Sequence, residues 1–148
     1  MRAAPLVLAA ALCAAAAPVE GACSVSATPV SFGVYDVFQA SPTDSTGTVT
    51  YRCGNTDHHI TITISSGSAG TFTPRTLRSG ADTLGYNLFR NAAFTEVWGD
   101  GAGATATYFI VNPPNSQDVV LPVYARIPAG QDARAGTYGD SVVVTIEY

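Results

Sequence analysis

Few side chains in this sequence are of types that ionise, attack, ligate or stack at a reacting centre. Two histidines stand together, His58-His59, after "GNTD". Adjacent residues on a strand point to opposite faces, so the pair cannot chelate one ion unless the backbone bends there. They read as a solvated strand entry. "GDGAGA", residues 99–104, has the glycines of a dinucleotide-binding turn, but that chemistry needs a strand before it and a helix after it. The next residues, "TATYFIV", have the character of a strand, so the segment reads as a turn. Asp36, Asp100 and Asp140 are the carboxylates available for an acid–base pair. Each lies beside Gly or an aromatic at a strand–loop junction, where Asp commonly bonds local backbone. Ser141 has no nucleophile-elbow context. Trp98, the single tryptophan, is either a sugar-stacking platform or a core side chain beside a Gly turn, and the core role is favoured. Arg75, Arg78, Arg90, Arg126 and Arg134 are scattered and read as solvated. Tyr86, Leu88 and Phe89 read as core. Catalytic residues, cofactor and metal are therefore all expected to be none, and the chain is not expected to be an enzyme.

The elements that hold these residues begin after a leader. "MRAAPLVLAAALCAAAAPVEGA" has one Arg near its start, then an unbroken apolar run from Leu6 to Ala17. That run is too short to span a bilayer and ends in small residues, as a secretory signal peptide does. Residues 1–17 are assigned to the signal, with cleavage after Ala16 or Ala17, and residues 18–148 to one domain. Lipidation at Cys23 is disfavoured, because Glu20-Gly21-Ala22 is not a Leu-led small-residue box. No later run approaches a membrane helix in length, so no membrane insertion of the mature chain is expected. Seven basic residues, all Arg, face eleven acidic ones. No basic stripe exists to hold a phosphate backbone, which argues against nucleic acid.

After the leader, Gly, Pro, Thr, Ser and Asn punctuate the chain about every ten residues, the pattern of many short strands. Alternation is clear in "GTVTYRC", "HITITIS", "DVVLPVYARI" and "SVVVTIEY". Period two means one buried and one wet face. "ATATYFIVN" is apolar on both phases near its end and is expected to be central or doubly covered. "VFQASPTDSTG" and "SSGSAGTFTPRTLRSGADTLG" read as long connections. The architecture is an antiparallel sandwich of about seven strands. Cys13 leaves with the signal, so Cys23 and Cys53 remain in a chain bound for an oxidising compartment, and a disulfide is the default. Cys23 shares its phase with Val25 and Ala27, and Cys53 with Val49 and Tyr51, so both point inward.

An ordered set of segments carries a resemblance: "CSVSATPVSFGVYD", "TGTVTYRC", "TITISSG", "PRTLRSGADTLGYNLFRNAAFTEVWGDG" and "LPVYARIPAGQDARAGTYGDSVVVTIEY". From Cys23 to Tyr148 the chain resembles the spore coat protein U domain family, which includes subunits of archaic chaperone–usher pili. The resemblance implies an all-β fold, an immunoglobulin-like antiparallel β-sandwich that is incomplete and completed by a donor strand. It implies a periplasmic chaperone, an outer-membrane usher and neighbouring pilin subunits as partners. It implies export through the periplasm to a fimbrium, the cell surface or the medium, and a role in adhesion or biofilm formation. Strand addition binds through backbone hydrogen bonds and pockets for alternate side chains. Phase and resemblance together put Phe32, Val34, Val142, Val144 and Ile146 in the strand-acceptor groove. The alternative is a secreted carbohydrate- or surface-binding β-sandwich module using Trp98 and the Gly-rich loops. One feature departs from the family. Between the cleavage point and Cys23 only "APVEGA" remains, with Val19 its single large apolar residue. At ~3.3 Å per residue that segment covers little of a groove. The subunit is therefore expected to accept a strand and to donate one poorly.

Overall fold

A computed structural model gives the fold; it describes residues 23–54 and 59–148, with the backbone of residues 2–3 and 7–10. All the strictly alternating segments, and others with them, form strands. They are β1 (Arg2–Ala3), β2 (Val7–Ala10), β3 (Ser24–Ala27), β4 (Thr43–Arg52), β5 (His59–Ile64), β6 (Arg75–Ser79), β7 (Asp82–Phe89), β8 (Tyr108–Val111), β9 (Asp118–Ile127), β10 (Thr137–Tyr138) and β11 (Ser141–Glu147). The described residues hold no α-helix, only a 3-10 turn at Gly67–Ala69.

Two layers face each other. One is five-stranded, in the order β3-β4-β9-β7-β6; the other is four-stranded, β2-β11-β5-β8. Every ladder among β3 to β11 is antiparallel. The parallel ladders are β1 with β10 and β2 with β11. The inner faces follow the predicted phases. Val49 and Tyr51 on β4, Val123 and Ala125 on β9, Ile60, Ile62 and Ile64 on β5, and Val142 and Val144 on β11 are all buried. Burying one such branched side chain contributes roughly 1.5–3 kcal/mol relative to exposure. Between the layers sits Trp98, fully buried, its Nε1 donating to the Ile62 carbonyl at 3.1 Å and its ring 4.6 Å from that of Tyr108. β4 passes under Val30 at Gly47, where an added Cβ would lie 2.7 Å from Val30 Cγ2.

Three expectations are corrected. The long stretch after Ser65 is not all connection. It contains the β6–β7 hairpin, closed by the two-residue turn Gly80-Ala81 with Gly80 at φ +60°. An inward position of β6 carries Arg75, and Asn87 is buried out of phase on β7, which hides the strands in the sequence. β4 begins at Thr43, so part of "VFQASPTDSTG" is strand, held by pairing with β9 as far as Ile127. And β8 is not central: it pairs with β5 at the end of its sheet. Phe109 and Val111 are 61% and 60% exposed, while Tyr108 and Ile110 pack toward the core. Its two apolar phases reflect one face on the core and one exposed face.

Candidate functional site

The last strand, β11, has two differently occupied edges. Along one it pairs antiparallel with β5, from Val144↔Ile64 to Glu147↔Thr61. Ser65 extends this contact: its N–H donates to the Val143 carbonyl at 2.9 Å, and its Oγ accepts from the Val143 N–H at 2.9 Å. Backbone groups alternate in direction along a strand, so those of Val142 and Val144 face the other edge. There β2 runs parallel, from Ser141↔Val7 to Val144↔Ala10. Just upstream, β1 runs parallel to β10, with Arg2↔Thr137 and Ala3↔Tyr138. β2 also lies against β3, the end strand of the opposite layer. The backbone completing this edge thus comes from the segment that reads as a signal peptide.

The groove residues named from sequence fall in three places. Val142 and Val144 are fully buried on β11, and Ile146, partly buried, packs against the core on the same face. Phe32 is 6% exposed and meets Tyr86 edge-on with ring centroids 6.1 Å apart. Val34 is 62% exposed and borders a surface cleft of about 320 Å³ with Val37, Phe38, Ala133 and Ala135. Cys23 and Cys53 form a disulfide with a Cα–Cα distance of 4.1 Å, joining the entry of β3 to the end of β4.

Behind β11 lies a buried polar cluster. Arg75 on β6, read from sequence as solvated, is fully buried. Its guanidinium donates to the carbonyls of Ser65 (2.8 Å from Nη2, 3.0 Å from Nε), Trp98 (2.7 Å) and Ile64 (3.3 Å), and to Asn87 Oδ1 (2.8 Å). Burial pulls its pKa down to about 10. The phase it shares with Leu77 was the signal in the sequence, since both face inward on β6. Asp140, between β10 and β11, accepts from Tyr86 Oη at 2.7 Å and from the Ser68 and Ser141 N–H groups at 2.9 Å. Gly67, at φ +74°, keeps that approach open, because a Cβ there would lie 2.1 Å from Asp140 Oδ2. Burial, and then the bond to Asp140, raise the Tyr86 pKa.

The remaining candidates are held by local contacts. Asp36 and Asp100 accept from the backbone N–H two residues on, at Phe38 and Ala102. "GDGAGA" is a turn, with Gly101 and Gly103 at positive φ and Thr105 Oγ1 accepting from the Gly101 N–H. The exposed His59 has its ring 5.7 Å from that of Phe109; His58 lies outside the described residues. Arg90 donates to Glu96 and to the Thr107 carbonyl. Arg126 grips Asp44 with two bonds, at 2.7 and 2.8 Å, and lies 3.8 Å from the Phe94 ring centroid. Arg134 pairs with Asp82 at 3.9 Å, and Arg78 is exposed.

Comparison with known proteins agrees with this geometry. The family model described as Spore Coat Protein U domain matches residues 9–145. "Protein U" of Myxococcus xanthus is 30% identical over 149 residues, covering 89% of this chain and 80% of its own length. Among solved structures, one match is the CsuC-CsuE chaperone-tip adhesion subunit pre-assembly complex from archaic chaperone-usher Csu pili of Acinetobacter baumannii. There the TM-score is 0.53 at 21% identity, over 86% of this chain. This chain spans 40% of the solved chain it matches, so the likeness concerns the fold.

Proposed function

Because the chain belongs to the Spore Coat Protein U domain family, we propose that it is a structural subunit of a cell-surface pilus or coat, assembled by exchange of donor strands. One observation carries this reading: the outer edge of β11 is completed by Val7–Ala10, within the segment that export would remove. With residues 1–17 gone, residues 18–148 carry a sheet edge whose Val142 and Val144 backbone groups lack partners, beside core side chains. Such an edge templates pairing with another chain. The incoming strand comes first from a periplasmic chaperone and then, at an outer-membrane usher, from a neighbouring subunit. Val142, Val144 and Ile146 line the slot, and Phe32 and Val34 belong to the acceptor surface. Adhesion or biofilm formation is the role of the assembled surface structure. The chain acts by assembly and not by catalysis, and the sugar-binding alternative loses its platform because Trp98 is fully buried.

The test is periplasmic expression with and without a candidate chaperone, followed by native mass measurement. The expected result is a low yield alone and a one-to-one complex when the chaperone is present. A well-behaved monomer at equal yield in both cases would overturn the reading.

A further inference from the structure

The ladder between β7 and β9 stops short. It joins Asn87 to Arg126, Leu88 to Ala125 and Phe89 to Tyr124. Continuing that register sets Pro128 opposite Gly85, and proline has no N–H to give to the Gly85 carbonyl. The chain turns away instead at residues 128–131, with Gly130 at φ +77°. The first half of β7 is thus paired with β6 on one side, from Arg75↔Tyr86 to Ser79↔Asp82, and lies beyond the end of the β9 ladder on the other. Gln131 closes the gap with its side chain. Its Oε1 accepts from the Gly85 N–H at 2.7 Å, and its Nε2 donates to the Gly85 carbonyl at 2.8 Å and to the Pro128 carbonyl at 3.2 Å. The amide gives Gly85 the donor and the acceptor that a strand residue would give. Tyr35, fully buried, fixes the turn: its hydroxyl donates to the Pro128 carbonyl and accepts from the Gln131 N–H, both at 3.0 Å. Gly85 leaves room for the amide, since a Cβ there would lie 3.0 Å from Gln131 Oε1.

We propose that Gln131 is an edge plug that keeps β7 from pairing with β7 of a second copy of this chain. Backbone groups alternate in direction along a strand, so those of Thr83 face the same side as those of Gly85. Thr83 is exposed, and Asp82 is the only charged residue of β7. An edge that lacks charges, proline and a cover is open to another strand. Two antiparallel copies of so short an edge make a self-complementary, two-fold contact. With the amide in place, Gly85 has neither backbone group to offer. This goes beyond the strand-accepting reading and does not rest on it: it assigns an edge that stays closed, whichever edge accepts.

The test compares the full-length, oxidised parent with Gln131→Ala and Gln131→Ser, whose side chains are too short to reach Gly85. Sedimentation velocity reads self-association, and amide exchange reads Gly85, with Ile62 as the core reference. In the parent, the Gly85 amide is expected to exchange at least about tenfold more slowly than an unpaired one. In dilute Gln131→Ala it is expected to exchange about tenfold faster than in the parent, with Ile62 unchanged. As concentration rises, the variant is expected to dimerise and Gly85 to regain protection. Adding Thr83→Pro removes an outward N–H and is expected to keep the variant monomeric. Gln131→Ser is expected to behave as Gln131→Ala, and it decides the matter if the alanine variant loses protection at Ile62. A monomer at every concentration with an unprotected Gly85 overturns the proposal. So does a Gly85 unprotected in the parent or still protected in the dilute variants, and so does self-association that survives Thr83→Pro. Loss of Ile62 protection in both variants also overturns it, since the amide then holds the core and does not guard an edge.

Discussion

Replacing Arg75 with leucine tests whether the buried guanidinium pins the two layers together. The substitution strips the donor from the Ser65 and Trp98 carbonyls, while Asn87 Oδ1 loses it too but keeps the Leu88 N–H. Each buried acceptor left unsatisfied costs about 1–3 kcal/mol. The sum is an upper bound, because the parent already bears the desolvation that lowers the Arg75 pKa, and leucine adds apolar packing. The expected loss is about 2–4 kcal/mol, a large share of the ~5–15 kcal/mol typical of a domain. Ser65 also bonds Val143, so the loosening reaches β11 from its β5 side. Urea unfolding followed by the emission of Trp98, the single and fully buried tryptophan, measures it. Arg78→Leu, at an exposed position on the same strand, serves as the control and should stay within about 0.5 kcal/mol of the parent. An Arg75→Leu variant within about 1 kcal/mol of the parent would refute the argument, since even one orphaned carbonyl costs that much.

Other outcomes rest on single contacts. Replacing both Cys23 and Cys53 with serine should cost ~3.5 kcal/mol for a loop closed over a sequence separation of 30, and reductant should lower the parent to the same midpoint while leaving the variant unchanged. Tyr86 has a raised pKa, so its contribution is present below the ordinary value of 10.0 and is lost as pH climbs above it; Arg75, lowered from 12.5 to about 10, opposes that loss with a comparable slope in the same window. Tyr86→Phe should therefore lower stability at pH 7 by ~1–2 kcal/mol, and the gap between parent and variant should narrow above pH 10, as read from urea midpoints between pH 7 and 11. Asp44→Asn removes a half-exposed ion pair and should cost less than ~1 kcal/mol. Because the Asp44 pKa is lowered, first by its bond to Arg126, that small difference should be full above pH 3.8 and vanish on acidification in an acid titration of both proteins.

The parts of this fold that show in the sequence are those where one face is apolar and the other polar. Ile60, Ile62 and Ile64 announce β5, and Val142 and Val144 announce β11, because period two leaves no other way to bury them together. The inward phases of Cys23 and Cys53 allowed their pairing to be foreseen. Two features stayed hidden for physical reasons. Arg75 occupies a core position with a charged side chain, which pattern reading assigns to water; only four carbonyl and amide acceptors contributed by distant segments make that burial tolerable. β8 is apolar on both phases yet stands at a sheet end, because local sequence specifies which faces are apolar and not which strand lies beside them. The proposed accepting edge is legible only through resemblance, since the source of a neighbouring strand leaves no mark on the period of the strand it pairs with.

The central claim is that the Cys23–Tyr148 domain does not complete its own sheet. The most direct measurement is amide exchange at Val142 and Val144 in the chain beginning at residue 18. Alone, both amides should exchange as freely as a fraying edge, and they should slow at least about tenfold when another chain supplies a strand. Slow exchange at both positions in a lone, stable monomer would contradict the account.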